Sequence, residues 1–300
     1  MVTKIRRKAS GTTTTTTATT NRTAAKSKPA AADRIVPGVR PLALITGASS
    51  GIGETFAAQF AAARYDVILV ARSADKLEQL AEVLAARHGV TAWTLAADLS
   101  VPGAAEALRQ DVEARELDIN VLVNCAGVLE QGAFADMSAT SQQQMIALNI
   151  AGLTAMLSAF VPGMVARGQG RVLNVASIAA FQPIPTLATY AATKAFVLSL
   201  SESLGEELRG TGVTVTTLCP GITATQMLTK AAGTNDKLSL LPDFLVSDVQ
   251  DVAAQALAAC LRGDAICVPG AINQGAMIAS RATPKWLVRR IGGLLGRRAL

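Results

Sequence analysis

The stretch LALITGASSGIGETFAAQF, residues 42–60, changes character twice. Leu42 to Ile45 are apolar with no polar alternation, as a strand reads when both faces of its sheet are covered. Gly47, Gly51 and Gly53 then crowd into a short turn. From Glu54 the pattern becomes helical, with Phe56 and Phe60 four residues apart on one face. Strand, glycine turn and helix in direct succession form the opening unit of a parallel α/β fold.

The rest of the chain repeats the first half of that unit. Apolar runs recur at DVILVA (66–71), TAWTLAAD (91–98), INVLVN (119–124), GRVLNVAS (170–177), GVTVTTLCP (212–220) and AICVPG (265–270). Between them lie segments of helical period, such as ADKLEQLAEVLAARHG and PGAAEALRQDVEARE. The βαβα order predicts a single-domain α/β fold over 41–270, a doubly wound parallel sheet of Rossmann-like type with helices on both faces. No internal repeat and no second domain is visible. One long uncharged run, MIALNIAGLTAMLSAFVPGMVA (145–166), contains Asn149 and Pro162. It reads as a helix buried against the sheet or a partner subunit rather than a membrane span.

Charge is divided along the chain. Residues 1–40 hold nine Lys/Arg against one acid, and 281–300 hold six basic residues and none. The remainder, 41–280, carries 13 basic and 21 acidic residues, a net −8. The basic excess thus belongs to the ends. A groove for nucleic acid would need it in the folded body, so nucleic acid is not an expected partner. Residues 1–40 are Thr/Ala-rich and aperiodic, the composition of a disordered tail, and their basic, acid-poor make-up also fits, as the lesser alternative, an organellar transit peptide. Cys125, Cys219, Cys260 and Cys267 show no CxxC spacing and read as buried thiols of a reducing, cytoplasmic compartment. His88 is the only histidine, so no His-based metal site is expected.

The glycine turn has a chemical use. Glycines let backbone approach a pyrophosphate, whose charge the N-terminus of the following helix receives. The spacing here is G-x-x-x-G-x-G. The second strand ends in ILVAR. An acid near Ala71 would bond the ribose 2′-hydroxyl of NAD; instead Ala71 is neutral and Arg72 follows, with Ser73 and Lys76 near. A cation there suits the 2′-phosphate of NADP, so NADP is favoured over NAD.

A second pair stands in TYAATKAF, residues 189–196. Tyr190 and Lys194 are four apart on a predicted helix and share a face. An ammonium beside a phenol favours the phenolate and lowers the phenol's pKa, which suits general acid–base work. The spacing alone is common. Thirteen residues earlier, though, a strand ends at Ser177, whose hydroxyl could orient a carbonyl.

In order along the chain, TGASSGIG (46–53), AADL with Asp98, NCAG (124–127), ALNIAG with Asn149, Ser177, Tyr190, Lys194 and PGITAT (220–225) are similar to the motifs of the short-chain dehydrogenase/reductase family, in its compact NADP-preferring branch. The resemblance covers about 41–270. It implies cofactor contacts from Gly47, Ser49, Ser50, Gly51, Ile52 and Gly53 in the turn, and from Arg72, Asp98 and Leu99 near the adenosine. It implies further contacts from Asn124, Ala126 and Gly127, from Tyr190 and Lys194, and from Pro220, Gly221 and Thr225 near the nicotinamide. Catalysis would fall to Tyr190 as proton donor or acceptor, with Ser177 polarising the carbonyl. Lys194 would bond the ribose and tune Tyr190, and Asn149 would link Lys194 to solvent through water. Cys125 departs from the family's second Asn, a mainly structural position. The implied reaction is reduction of a carbonyl, or oxidation of the secondary alcohol, by hydride transfer.

The substrate is expected to be small and lipophilic, because 222–247 is apolar with few charges. The family's helices pair between subunits, which implies a homodimer or homotetramer. The tail after 270 resembles that of a bacterial subgroup, in which a basic helix begins at a proline. Trp286, Leu287, Ile291, Leu294 and Leu295 can share a face beside four arginines, which allows either weak peripheral membrane contact through 284–300 or a cover for the substrate mouth. Two alternatives stay open: a cofactor-binding sensor or scaffold without turnover, and a membrane-peripheral lipid or 3-oxoacyl reductase.

Overall fold

A computed structural model describes residues 40–223 and 246–283. Strand β1 (Leu42–Thr46) leads into helix α1 (Gly51–Ala62), and β2 (Asp66–Ala71) into α2 (Ala74–His88). Then come β3 (Ala92–Ala96), α3 (Ala104–Ala114) and β4 (Val121–Asn124). Helix α4 (Ala139–Ile146) passes through a π-helical segment (Ala147–Gly152) into α5 (Leu153–Arg167). Strand β5 (Gly170–Val175) is followed by a 3₁₀ turn (Ile178–Phe181), α6 (Ala188–Glu207) and β6 (Val213–Leu218). Short strands β7 (Ile222–Thr223) and β8 (Val246–Ser247), helix α7 (Val249–Arg262), β9 (Ile266–Cys267) and helix α8 (Ala271–Ala282) complete it.

Seven strands form one sheet in the order β3-β2-β1-β4-β5-β6-β9, all pairs parallel. The chain winds outward from β1 to β3, then returns to β4 and winds the other way. Ligands of such sheets bind at the carboxyl ends of the strands flanking that reversal, here β1 and β4. The seven apolar runs are the seven strands of this sheet, trimmed at their ends. The parallel pair β7–β8 is a separate two-residue ladder that two-residue runs in sequence cannot announce.

Both sheet faces are covered, which is why the strands read as unbroken apolar runs. One face packs against α1, α2 and α7, with Phe56 and Phe60 fully buried. The other packs against α3, α5 and α6, with Met156, Met164 and Val197 fully buried. Each large side chain so buried stabilises the fold by about 1.5–3 kcal/mol.

The continuous helical run Ala139–Arg167 is long and apolar enough to cross a membrane by length and composition. Its buried residues, from Met145 through Met164, lie against the body of the domain, as the sequence suggests. At the other end, the expected domain boundary at 270 falls in front of a further packed element. Helix α8 is held to the body by Ser280 Oγ, which donates to Phe181 O at 2.8 Å. The expectations for residues 1–39 and for the basic run 284–300 lie outside the described residues.

Candidate active site

At the end of β1 the backbone must reverse before α1 can start. Gly47 takes a φ of +70°, a region where L side chains are strained. A Cβ added at Gly53 would stand 2.2 Å from Gly47 O, so only glycine lets the first turn of α1 rest on the loop. Thr46 then joins this loop to the end of β4. Its Oγ1 accepts from Cys125 N and Ala126 N, both at 3.0 Å, and donates to Val123 O at 3.2 Å. Ser50 occupies the N-cap of α1 in extended conformation, yet its side chain makes no capping hydrogen bond. Its hydroxyl and the unpaired amides of the first turn therefore face the cleft as donors, a set that fits a pyrophosphate.

The cleft has a volume of about 240 Å³ and is lined along its length by the expected residues: Gly47, Ser49, Ser50, Gly51, Ile52, Gly53, Arg72, Asp98, Leu99, Ala126, Gly127, Tyr190, Lys194 and Pro220. Arg72 and Ser73 stand at one end of it. The Arg72 side chain is 71 % exposed and lies 4.0 Å from Asp98 Oδ2. Asp98 is itself held in place by Ser100, whose N–H and hydroxyl donate to Oδ1 at 2.9 and 2.6 Å. Those bonds, with a smaller contribution from Arg72, keep the Asp98 carboxyl below the usual range.

At the other end, β5 delivers Ser177 and α6 delivers Tyr190 and Lys194. Ser177 Oγ accepts from Ala179 N at 3.1 Å, which fixes the side chain, and its hydroxyl acts on the Tyr190 phenol to lower its pKa. Lys194 Nζ donates to Val175 O at 2.9 Å and lies over the Tyr190 ring, 5.8 Å from its centroid. Asn149 sits in the π-helical segment, 1 % exposed. Its amide accepts from Val128 N and donates to Val128 O, both at 2.9 Å, and donates to Thr193 Oγ1 at 3.2 Å. Gly127 separates the two polar groups: a Cβ there would meet Asn149 Oδ1 at 3.3 Å and Lys194 Nζ at 3.5 Å.

The electrostatics differ from the sequence expectation at one point. Burial pushes the Tyr190 phenol above its ordinary value, and the Ser177 hydrogen bond pulls it partly back. Lys194 Nζ is turned to Val175 O and the ring face, and burial sets the direction of the shift. Lys194 itself is lowered to about 8 by burial, with Cys125 and Cys219 opposing that shift. The Cys125 thiol, which lines the cleft, is raised to about 12 by burial, and Lys194 acts against it.

Two expected cofactor contacts are placed differently, and a third is not described. Asn124 does not line the cleft; its side chain turns to Asn174 on the neighbouring strand. Gly221 packs against Asn273 and is also outside the lining. Thr225 lies outside the described residues. Conversely, Thr46, Val175 and Thr193 support the site without having been singled out. The roles of Val175 and Thr193 arise across elements far apart in sequence. Thr46 carried one legible hint, a polar residue closing an apolar strand.

The family model for short chain dehydrogenases matches residues 41–236. Among curated proteins, the very-long-chain 3-oxoacyl-CoA reductase of Homo sapiens is 33 % identical over 224 residues, 73 % of this chain and 70 % of that protein. The protein of the same name from Aspergillus clavatus is 36 % identical over 175 residues, 58 % of this chain, and the match spans only 51 % of its length. Among solved structures, a short-chain dehydrogenase from Sphingobium yanoikuyae in complex with NADPH is 35 % identical with a TM-score of 0.72, covering 80 % of this chain and 93 % of that one. The family match runs from the glycine turn through Lys194, over the sheet order that places both at one cleft, and the chain belongs to the short-chain dehydrogenase/reductase family of NAD(P)-binding oxidoreductases.

Proposed function

We propose that the protein is an NADPH-dependent reductase of lipophilic ketones, with 3-oxoacyl thioesters as the first class to try. The observation that carries the reading is the buried Tyr190 phenol, which shares with Lys194 the cleft lined by the glycine turn. The names of the human and Aspergillus relatives support the thioester class, and the NADPH complex of the Sphingobium structure supports the cofactor.

When bound, the dinucleotide supplies hydride to the carbonyl carbon. The chain's own residues do the rest. Gly47 to Gly53 and the first turn of α1 hold the pyrophosphate. Arg72 and Ser73 receive the 2′-phosphate. The Ser177 hydroxyl orients the carbonyl oxygen. The phenol O–H of Tyr190 then breaks, and its proton goes to that oxygen as the C=O becomes CH–OH. Burial keeps the phenol protonated at neutral pH, which suits reduction, where it must donate. Lys194 and Asn149 stand where the phenolate can regain its proton.

The same reading extends to assembly. The outer sides of the α4–α5 run and of α6 carry Ile146 and Phe196, which are 44 % and 39 % exposed. A second copy covering these helices would form a homodimer. The activity is tested by following NADPH oxidation with a panel of 3-oxoacyl-CoA esters of rising chain length, aryl ketones and aldehydes. Reduction of the thioesters or ketones is expected; absence of turnover across the whole panel would favour the sensor or scaffold alternative.

A further inference from the structure

Three elements converge on the proposed site. Strand β4 runs into Gly127, β5 runs into Ser177, and α6 carries Tyr190 and Lys194. Just beneath the strand ends, on the face covered by α6, Asn124 and Asn174 stand opposite each other in register. Asn124 Nδ2 donates to Asn174 Oδ1 at 2.9 Å. Asn174 Nδ2 donates to Ser201 Oγ at 2.9 Å, and Ser201 Oγ donates to Val197 O at 2.6 Å. The three residues are enclosed, at 3 %, 0 % and 2 % exposure.

Helix α6 is therefore tied to β5 at two points. Lys194 bonds Val175 O and Ser201 bonds Asn174, consecutive residues of the strand. On the helix the two anchors are two turns apart on one face, about 10 Å along the axis. One anchor would let the helix pivot or slide; two fix its rotation and its axial position. Because Ser177 follows β5 by two residues and Tyr190 lies in the first turn of α6, that register decides how the two hydroxyls meet.

The row also carries a cost that a purely structural core would avoid. Asn124 Oδ1 and, on β6 beside Asn174, Thr217 Oγ1 find no hydrogen-bond partner among the described residues. Unsatisfied buried groups destabilise, whereas apolar side chains of similar volume would fill the space without that penalty. Local choices that lower stability tend to sit where function needs them.

We infer that Asn174 is a positioning residue for carbonyl reduction: through Ser201 it sets the register of α6 on β5 and hence the placement of Tyr190 against Ser177. This rests on the roles proposed above for Ser177, Tyr190 and Lys194. The test compares Ser201→Ala, Ser201→Thr, Asn174→Ala, the double alanine variant and Tyr190→Phe. The substrate is whichever 3-oxoacyl-CoA or ketone of the panel the wild type reduces fastest. NADPH fluorescence titration counts binding-competent sites, so kcat is expressed per site, and Tm is recorded for each variant. Ser201→Ala is expected to lower kcat per site roughly tenfold, with KM and NADPH affinity within about threefold of wild type. Ser201→Thr, which keeps the hydroxyl, restores most of the loss. Asn174→Ala, which also removes the acceptor of Asn124, loses at least as much as Ser201→Ala, and the double variant loses no more than Asn174→Ala, since both act on one tie. A lower Tm with unchanged kcat per site overturns the inference and leaves the row as packing. If Tyr190→Phe keeps its turnover, the site reading itself fails and takes this inference with it. If Tyr190→Phe is inactive while Ser201→Ala and Asn174→Ala are not, only the positioning role is lost.

Discussion

Tyr190 is where one atom decides the chemistry. Its ring is packed beneath Lys194, and its hydroxyl is the proton source of the proposed reaction. Tyr190→Phe keeps the ring and should lower turnover by at least ~10²-fold while NADPH still binds; near wild-type turnover by the variant would remove Tyr190 from the mechanism. Arg72 decides the cofactor. Its side chain is exposed and paired only loosely with Asp98, at 4.0 Å, so it is available to a 2′-phosphate. Arg72→Ala should weaken NADPH binding about ten- to a hundredfold, the range for a charge-assisted bond, and leave NADH nearly unchanged. Equal losses for both cofactors would show that Arg72 acts on adenine or on the fold. Lys194 adds a pH dependence. Burial lowers it to about 8 from an ordinary 10.5, so between those values the unfolded chain binds more protons than the folded one. Stability from this residue therefore rises with pH across that window, because the penalty for burying the charge disappears. Tm measured from pH 8 to 9, below the onset of tyrosine ionisation, should climb in the wild type relative to Lys194→Met. Parallel curves would mean that the folded lysine titrates normally.

At the level of elements, the glycine turn between β1 and α1 is read almost whole from LITGASSGIG. Its spacing demands close backbone approach, and the contact of Gly53 with Gly47 O meets that demand. Gly53→Ala places a methyl group 2.2 Å from a carbonyl oxygen that belongs to backbone. The turn must open, and the expected cost is about 1–3 kcal/mol, as for overpacking elsewhere, or several degrees in Tm. NADPH affinity should fall with it; a variant of wild-type Tm and affinity would show that the turn has slack. Helices α2 and α3 were equally plain in sequence, because their apolar positions recur at helical spacing. The π-helical segment Ala147–Gly152 was not. A π turn leaves no periodic trace, and what it achieves, bringing Asn149 to Val128 and Thr193, depends on a loop and a helix elsewhere in the chain.

For the whole molecule, the surface that bears on assembly is the one shared by the α4–α5 run and α6, where Ile146 and Phe196 are 44 % and 39 % exposed. Light scattering at micromolar concentration should report a dimer or larger assembly, and Phe196→Glu with Ile146→Glu should shift it towards monomer. A monomeric wild type would count against the proposed pairing. The fold class and the strand count of the main sheet followed from sequence alone, because apolar periodicity and glycine spacing are local properties, while most of the cleft's lining followed from the resemblance of its motifs to those of the family. Local patterns could not say that the Asn124 side chain turns to Asn174 rather than to the cleft, since that depends on which strand lies beside β4. Nor could they foresee that Lys194 would bond Val175 O, or that burial would set the direction of the Tyr190 shift. Side-chain partners and desolvation are sums over neighbours brought together from across the chain. They come into existence only when β4, β5 and α6 are packed, which is why tertiary structure alone decided them.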